Sequence, residues 1–425
     1  MTAMRQVNCS HCIDDWRNGR RIEMEITMSE RTLLLGFDLG DEKSQMAVYD
    51  REKMEPVLIG QTEENPEALI NTEIALDGME PLTDFLVRIR RGEEIVVDGK
   101  VSHPVNMLSF FFRKTLSLTR QQYPGETIKQ LVVTTAGADR DFTELIYAAL
   151  EQLGIGRDRA YVMDHKQTFP YYVLYQKKEL WVNDVGLFDC EKDQLTYYQM
   201  QVDRGKNPIL VGVQERDYSD ALYLSENGEE HRAAVFENVV YGAIHKQLLS
   251  TLYMTGDGFE GGWADSVFRK LCVGRRLFKG RNLYVSGACY VAKEFGESKR
   301  LEDYLLLDEE MISSHLSVQV YADAKLQEIS LARAGTPWYM VDREISLIPA
   351  GDSEITLTAK NIFDQREKQF ILDLEPVEGR LDRRCRLGMR VRFESPKRCI
   401  VTLKDEGFGE FFPTSNRIWE KTVEL

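Results

Sequence analysis

Nowhere in the 425 residues does an apolar run reach the ~20 positions that a helix needs to cross a bilayer, so no transmembrane segment is expected. The N-terminus also lacks the charged-then-apolar layout of a secretion signal. Positive charge is in short supply: 54 Lys and Arg face 69 Asp and Glu, a formal charge of −15. An acidic surface repels nucleic-acid backbones and anionic membranes, which excludes both as main partners. The one local cluster, Arg380, Arg383, Arg384 and Arg386, reads as a solvated loop. Cysteine is sparse as well. Seven scattered residues, an odd number, fit reduced thiols rather than a disulfide framework. Cys9 and Cys12 form a CxxC pair, but no second pair or histidine pair follows at zinc spacing, so no metal role is assigned. These absences together point to a cytoplasmic protein.

What is present is enough apolar side chain for a core, 43 % of residues with 10 % aromatic, in a chain long enough for two or three domains. Residues 1–27 are polar and without period. They are expected to be a disordered arm, or an upstream extension if Met28 is the natural start. From Thr32 the pattern is strand, glycine turn, strand: an apolar run to Phe37, the turn Asp38-Leu39-Gly40, polar residues to Ser44, then Met46 to Tyr49. Residues 56–100 alternate short strands with turns, and Asn106 to Tyr123 has helical spacing. Leu131 to Thr135 reads as a buried strand. A helix capped by Asp141 follows and is closed by Gly154, then a strand from Ala160 to Met163 and an aromatic-rich helix from Gln167 to Gln176.

Val185 to Phe188 opens a second block of the same kind. It continues with strands at Gln194 to Val202 and Ile209 to Glu215, a helix around Arg232 to Gln247 and a strand at Leu252 to Thr255. The glycine turn Gly256-Asp257-Gly258 follows, then helices from about Ala264 and near Tyr284. Strands and helices that alternate in two successive blocks predict a duplicated α/β architecture, two lobes around a cleft. After residue 300 the period changes to two. Strands are predicted at Leu316 to Tyr321, Glu344 to Ile348, Glu354 to Thr358, Gln369 to Leu374, Arg386 to Phe393 and Arg398 to Leu403, an antiparallel β-sandwich. The predicted domains are therefore an extension at 1–30, lobe I at 31–180, lobe II at 181–300 and the sandwich at 301–425.

The order of turns in residues 31–295 resembles the actin-like ATPase superfamily, the seventy-kilodalton heat-shock chaperones more than actin. The first phosphate loop of that family looks like Gly36 to Ser44, the first connection like Met163 to Tyr172, the second phosphate loop like Val185 to Cys190. The adenosine loop looks like Leu252 to Phe259, and the second connection like Asn282 to Ala292 with Gly287-Ala288. The resemblance implies a ribonuclease-H-like duplicated nucleotide-binding domain for ATP or ADP with Mg²⁺. In it Asp38 and Asp189 would face the metal through water and Ser44 would contact a phosphate. Gly40, Gly256, Asp257, Gly258 and Gly287 would line the nucleotide, and Gln167 would orient the attacking water. The tail resembles the β-sandwich peptide-binding module of the same chaperones, without the helical lid.

This sequence departs from the family where phosphate would sit. Asp189 is followed by Cys190, Glu191, Lys192 and Asp193 instead of glycines, and Asp41 and Glu42 replace small hydroxyl residues in the first loop. A carboxylate within about 5 Å of a triphosphate costs on the order of 1–3 kcal/mol at surface-like dielectric. The expected protein is thus a chaperone-like adaptor with a degenerate nucleotide site, not an enzyme, whose sandwich holds a protein or peptide partner. Two alternatives are a slow Mg-ATPase of chaperone type and an actin-like assembly or anchoring protein. Composition and spacing assign no oligomeric state. Elsewhere, His165 reads as a surface or hinge histidine, and Cys272 and Cys289 as core packing. Arg275 to Arg281 reads as a solvated basic loop with a phosphate or partner contact as the alternative, and the Phe-rich run Glu406 to Pro413 as a buried turn with docking as the alternative.

Overall fold

The structure, a computed structural model, describes residues 5–6, 32–75, 80–97, 100–191, 194–223, 228–297, 299–307, 311–322, 324–349, 354–362, 366–374 and 385–425. Cys9, Cys12, Lys192, Asp193, Arg380, Arg383 and Arg384 lie outside them. The chain divides into two compact units, residues 1–202 with 213–302, and residues 203–212 with 303–425. The segment 203–212, expected in lobe II, therefore groups with the C-terminal unit. Among the described residues no helix is long and apolar enough to cross a membrane.

The first unit holds two sheets built to one plan. In the first half, β1 (Thr32–Asp38), β2 (Lys43–Asp50), β3 (Glu55–Leu58), β4 (Thr127–Thr135) and β5 (Ala160–Asp164) lie in the order β3-β2-β1-β4-β5. The β1–β2 and β2–β3 pairs are antiparallel, whereas β1–β4 and β4–β5 are parallel. In the second half, β6 (Asp184–Glu191), β7 (Gln194–Asp203), β8 (Ile209–Asp217), β9 (Leu249–Thr255) and β10 (Arg276–Lys279) repeat it as β8-β7-β6-β9-β10. Here too the hairpin β6–β7 is antiparallel and β6–β9 and β9–β10 are parallel.

Why these segments form these strands is plain from β1 and β4. Each carries a continuous buried run, residues 33–37 in β1 and 130–135 in β4, the pattern of a central strand covered on two faces. The strand β10 was not predicted: Arg276-Leu277-Phe278-Lys279 is too short and too basic to show a period, yet Leu277 is buried beside β9. Arg5 and Gln6, inside the segment expected to be disordered, pair antiparallel with its far edge.

Helices α1 (Pro104–Gln122) and α2 (Arg140–Glu151) cover the first sheet through a core that contains Phe37, Phe111, Phe112 and Ile146. Asp139, not Asp141, caps α2, accepting from the Phe142 amide at 2.8 Å, and Asp141 lies in the first turn. Helix α3 (His165–Tyr175) starts directly after β5. Helices α4 (Glu229–Ala243) and α5 (Asp265–Leu271) pack Phe236, Phe259, Trp263 and Phe268 into the second core, and α6 (Leu283–Gly296) follows β10.

The last helices of the two halves, α3 and α6, pack on each other, and α6 also lies on β1. Small residues permit both contacts. A Cβ on Gly287 would fall 2.6 Å from the Thr168 carbonyl oxygen, and one on Gly36 would strike the backbone of Cys289 and Val285. Gly287 is thus a helix-packing residue in the second turn of α6.

The second unit contains β11 (Tyr304–Leu307), which pairs parallel with residues 209–212, and two antiparallel four-stranded sheets. One sheet orders β12 (Ser314–Ala322), β13 (Lys325–Ala332), β15 (Glu354–Asn361) and β16 (Glu367–Asp373) as β13-β12-β15-β16. The other orders β14 (Asp342–Leu347), β17 (Arg386–Ser395), β18 (Arg398–Gly407) and β19 (Ile418–Glu424) as β14-β17-β18-β19. Leu316, Val318, Leu357 and Leu372 from the first meet Leu387, Met389, Val401 and Leu403 from the second in one core. All six predicted strands are present, and β11 is additional, as are β13 and β19 in the two sheets. Their exposed alternation with Lys and Glu hides the period.

Candidate functional site

Both halves of the first unit place an aspartate near the end of their first strand, Asp38 on β1 and Asp189 on β6. Both then place an aromatic ring in the first turn of the helix that follows their fifth strand, His165 opening α3 and Tyr284 second in α6. The duplication thus brings four side chains together. His165 Nε2 lies 2.8 Å from Asp38 Oδ1, and the Tyr284 hydroxyl donates to Asp189 Oδ2 at 2.7 Å. The two rings stack face to face at 3.7 Å with a 9° tilt. A continuous Asp38–His165–Tyr284–Asp189 chain therefore joins the halves.

Charge in this chain is shaped by burial and by neighbouring acids. Burial opposes a charge on His165, but Asp38, with Asp164 and Asp189 beyond it, outweighs that and raises His165 above the usual imidazole value. Burial raises Asp189, and Asp38 and Asp257 add to it, while His165 and the Tyr284 bond partly offset the rise. Burial also holds Tyr284 well above the usual phenol value, so it stays neutral and donates. Glu191, next along, is raised by lost hydration and then by Asp189 and Asp257, although part of its side chain reaches solvent. One oxygen of Asp189 and one of Asp257 are buried without a hydrogen-bond partner.

The glycine-rich loop at 256–262 closes on this cluster. Gly256 has φ +97°, and a Cβ there would run into the Cys190 carbonyl and the free oxygen of Asp189. A Cβ on Gly258 would meet the Cys190 sulfur. The glycines are therefore required by close packing of the loop on β6. Arg281 fastens the same loop, 2.9 Å from Glu260, 4.0 Å from Asp257 and 3.8 Å from Glu67 of the first half.

The remaining predicted site residues have structural tasks. Ser44 is fully buried, its hydroxyl 2.7 Å from Thr72 Oγ1, and that hydroxyl donates to the Gly40 carbonyl at 2.7 Å. The Gln167 side chain accepts from the Asp164 amide at 2.9 Å and completes a capping box on α3. Asp41 pairs with Arg90 at 3.2 Å. Of the basic run, Arg276 pairs with Glu179 at 3.0 Å, and one guanidinium nitrogen of Arg275 is buried without a partner. His165 and Tyr284 were missed as site residues. Nothing local marks them, since His165 and Asp38 stand 127 positions apart; only alignment of the two repeats on each other could have shown them as equivalent.

Taken as a site for magnesium and a triphosphate, these residues fit poorly. The unpartnered oxygens of Asp189 and Asp257 suit a cation. Yet Asp38 is engaged by His165, and the space at the glycines is filled by Cys190. Among the described residues no group of three or more His, Cys, Asp or Glu is arranged to hold a metal ion.

Comparison with known proteins adds a family without a function. Residues 52–309 match the C-terminal part of a family of unknown function (DUF5716). Residues 311–425 match a domain of unknown function (DUF8552). No curated protein matches the chain.

Proposed function

We propose that this chain, which belongs to the DUF5716 family, is a chaperone-like adaptor: an actin-like two-lobed scaffold that does not hydrolyse nucleotide, joined to a β-sandwich that binds a protein or peptide partner. The observation that carries the reading is the Asp38–His165–Tyr284–Asp189 chain, which engages each strand-end aspartate within its own half and joins the halves through the stacked His165 and Tyr284 rings. The repeated strand order supports the actin-like assignment, and the two antiparallel sheets over one core support the sandwich. Among the described residues five cysteines form no disulfide and four of them are buried, which fits a cytoplasmic setting, and the −15 charge fits a protein partner better than a nucleic acid.

Phosphate release from Mg-ATP by the full chain tests this. No turnover above buffer is expected. Turnover that disappears in both Asp38→Ala and Asp189→Ala would instead establish the second reading, a slow ATPase, which the unpartnered oxygens of Asp189 and Asp257 favour.

A further inference from the structure

At the end of the second sheet away from Asp189, an open groove of about 510 Å³ is lined by Asp184 of β6, Gln199 and Gln201 of β7 and Gln214 of β8. That volume lies within the ~300–1,000 Å³ range of ligand sites. Its floor is a row of carboxamides. Gln214 donates to Gln201 at 3.3 Å, and Gln201 and Gln199 both donate to Asp184, at 3.0 and 2.7 Å. The amides thereby satisfy the one acid of the floor.

The rim is basic, which is unusual in so acidic a chain. Arg216 and Lys246 line the groove, and among the described residues neither has an ion-pair partner. A third cation lies close by. Arg275, with a buried guanidinium nitrogen lacking any acceptor, acts together with Arg216 on the Tyr197 phenol, and that phenol donates to Gln247 on the groove wall at 3.2 Å. Val182 and Leu248 stand exposed beside these charges, at 54 % and 78 %.

We infer that this groove binds an acidic peptide segment of a partner protein. Carboxamides offer paired donors and acceptors that match a peptide backbone, the cations match its carboxylates, and the exposed aliphatics match an apolar side chain between them. The surface belongs to the first unit alone and is separate from both the Asp38–Asp189 chain and the sandwich. Its existence depends on neither the nucleotide nor the sandwich reading.

The test is fluorescence anisotropy of the full chain, without nucleotide, against a rhodamine-labelled peptide Glu-Leu-Glu-Glu-Leu-Glu. Saturable binding is expected, weakened about tenfold in Arg216→Glu/Lys246→Glu, and weakened severalfold between about 50 and 300 mM salt. The Lys-Leu-Lys-Lys-Leu-Lys peptide is expected not to bind. Phe411→Ser, on the sandwich, is expected to leave the affinity unchanged, which separates this groove from a sandwich site. Absence of saturable binding, or equal affinity in the doubly reversed variant, overturns the inference. Displacement by succinate as effective as by unlabelled peptide overturns it in favour of a small-dianion site.

Discussion

Tyr284→Phe removes one oxygen and leaves the ring stack on His165 intact. What it deletes is the 2.7 Å bond to Asp189, a carboxylate whose other oxygen already lacks a partner. A hydrogen bond to a charged group contributes about 1.5–3 kcal/mol, and with the acceptor left buried the loss falls within that range, about 2 kcal/mol. For a unit of this size that lowers Tm by about 5 °C. The assay is a double-mutant cycle by urea unfolding with Asp189→Asn, where no charge remains to be stranded. In that background Tyr284→Phe should cost less than about 1 kcal/mol. The coupling should also shrink as pH falls, because Asp189, already raised, becomes protonated and the bond loses its charge. Equal costs in both backgrounds, or a neutral Tyr284→Phe, would refute the view that the Tyr284 hydroxyl stabilises a charged, buried Asp189.

Further outcomes follow from the same contacts. His165 and Asp189 both bind a proton more tightly folded than unfolded, so both contribute stability that is lost as pH rises. The His165 contribution is complete below pH about 6.5 and declines above it, so the first unit should melt higher at pH 6 than at pH 8.5, and His165→Gln should flatten that slope in differential scanning calorimetry. The sandwich should respond in the opposite sense. Asp405 accepts from Ser415, Gly407 and Cys385, which outweighs burial and holds it down to about 2, so its contribution is present above pH about 4 and is lost as pH falls from there through about 2. Asp405→Ala should destabilise the second unit by about 3 kcal/mol at pH 7, read from its chemical denaturation midpoint. Gly36→Ala places a methyl group against the backbone of α6 and should cost at least about 2 kcal/mol in the same measurement on the first unit. Phe411 is 91 % exposed at the tip of its loop, and Phe411→Ser should change stability by less than about 0.5 kcal/mol.

The layered organisation was legible because it depends on period, and period is local. The run Thr32 to Phe37, the Asp38-Leu39-Gly40 turn and the change to alternation after residue 300 each show their structure within a dozen residues. Short or charged strands were not legible. β10 carries two basic residues in four positions, and β19 alternates with Glu and Lys. The site was partly legible. Asp38 and Asp189 could be found from the turns that hold them, and the loop at 256–262 from its glycines. Their partners could not, since the His165–Tyr284 stack depends on how two helices from different halves cross at Gly287 and Thr168. Ser44 shows the same limit: a hydroxyl beside a glycine turn suits a phosphate or a buried Thr72 equally well until the strand pairing of Lys43 with Asn71 is known. The Phe-rich turn is similar. It was expected to be buried, but Phe411 points outward while the Asp405 contacts hold the loop beneath it.

Calorimetric titration of Mg-ATP and Mg-ADP into the full chain tests the central claim most directly. With both strand-end aspartates engaged and Cys190 filling the space at the glycines, no binding heat and no rise in the melting temperature of the first unit are expected at millimolar nucleotide. A saturable heat with micromolar affinity, accompanied by a nucleotide-dependent rise in that melting temperature and lost in Asp189→Ala, would contradict it.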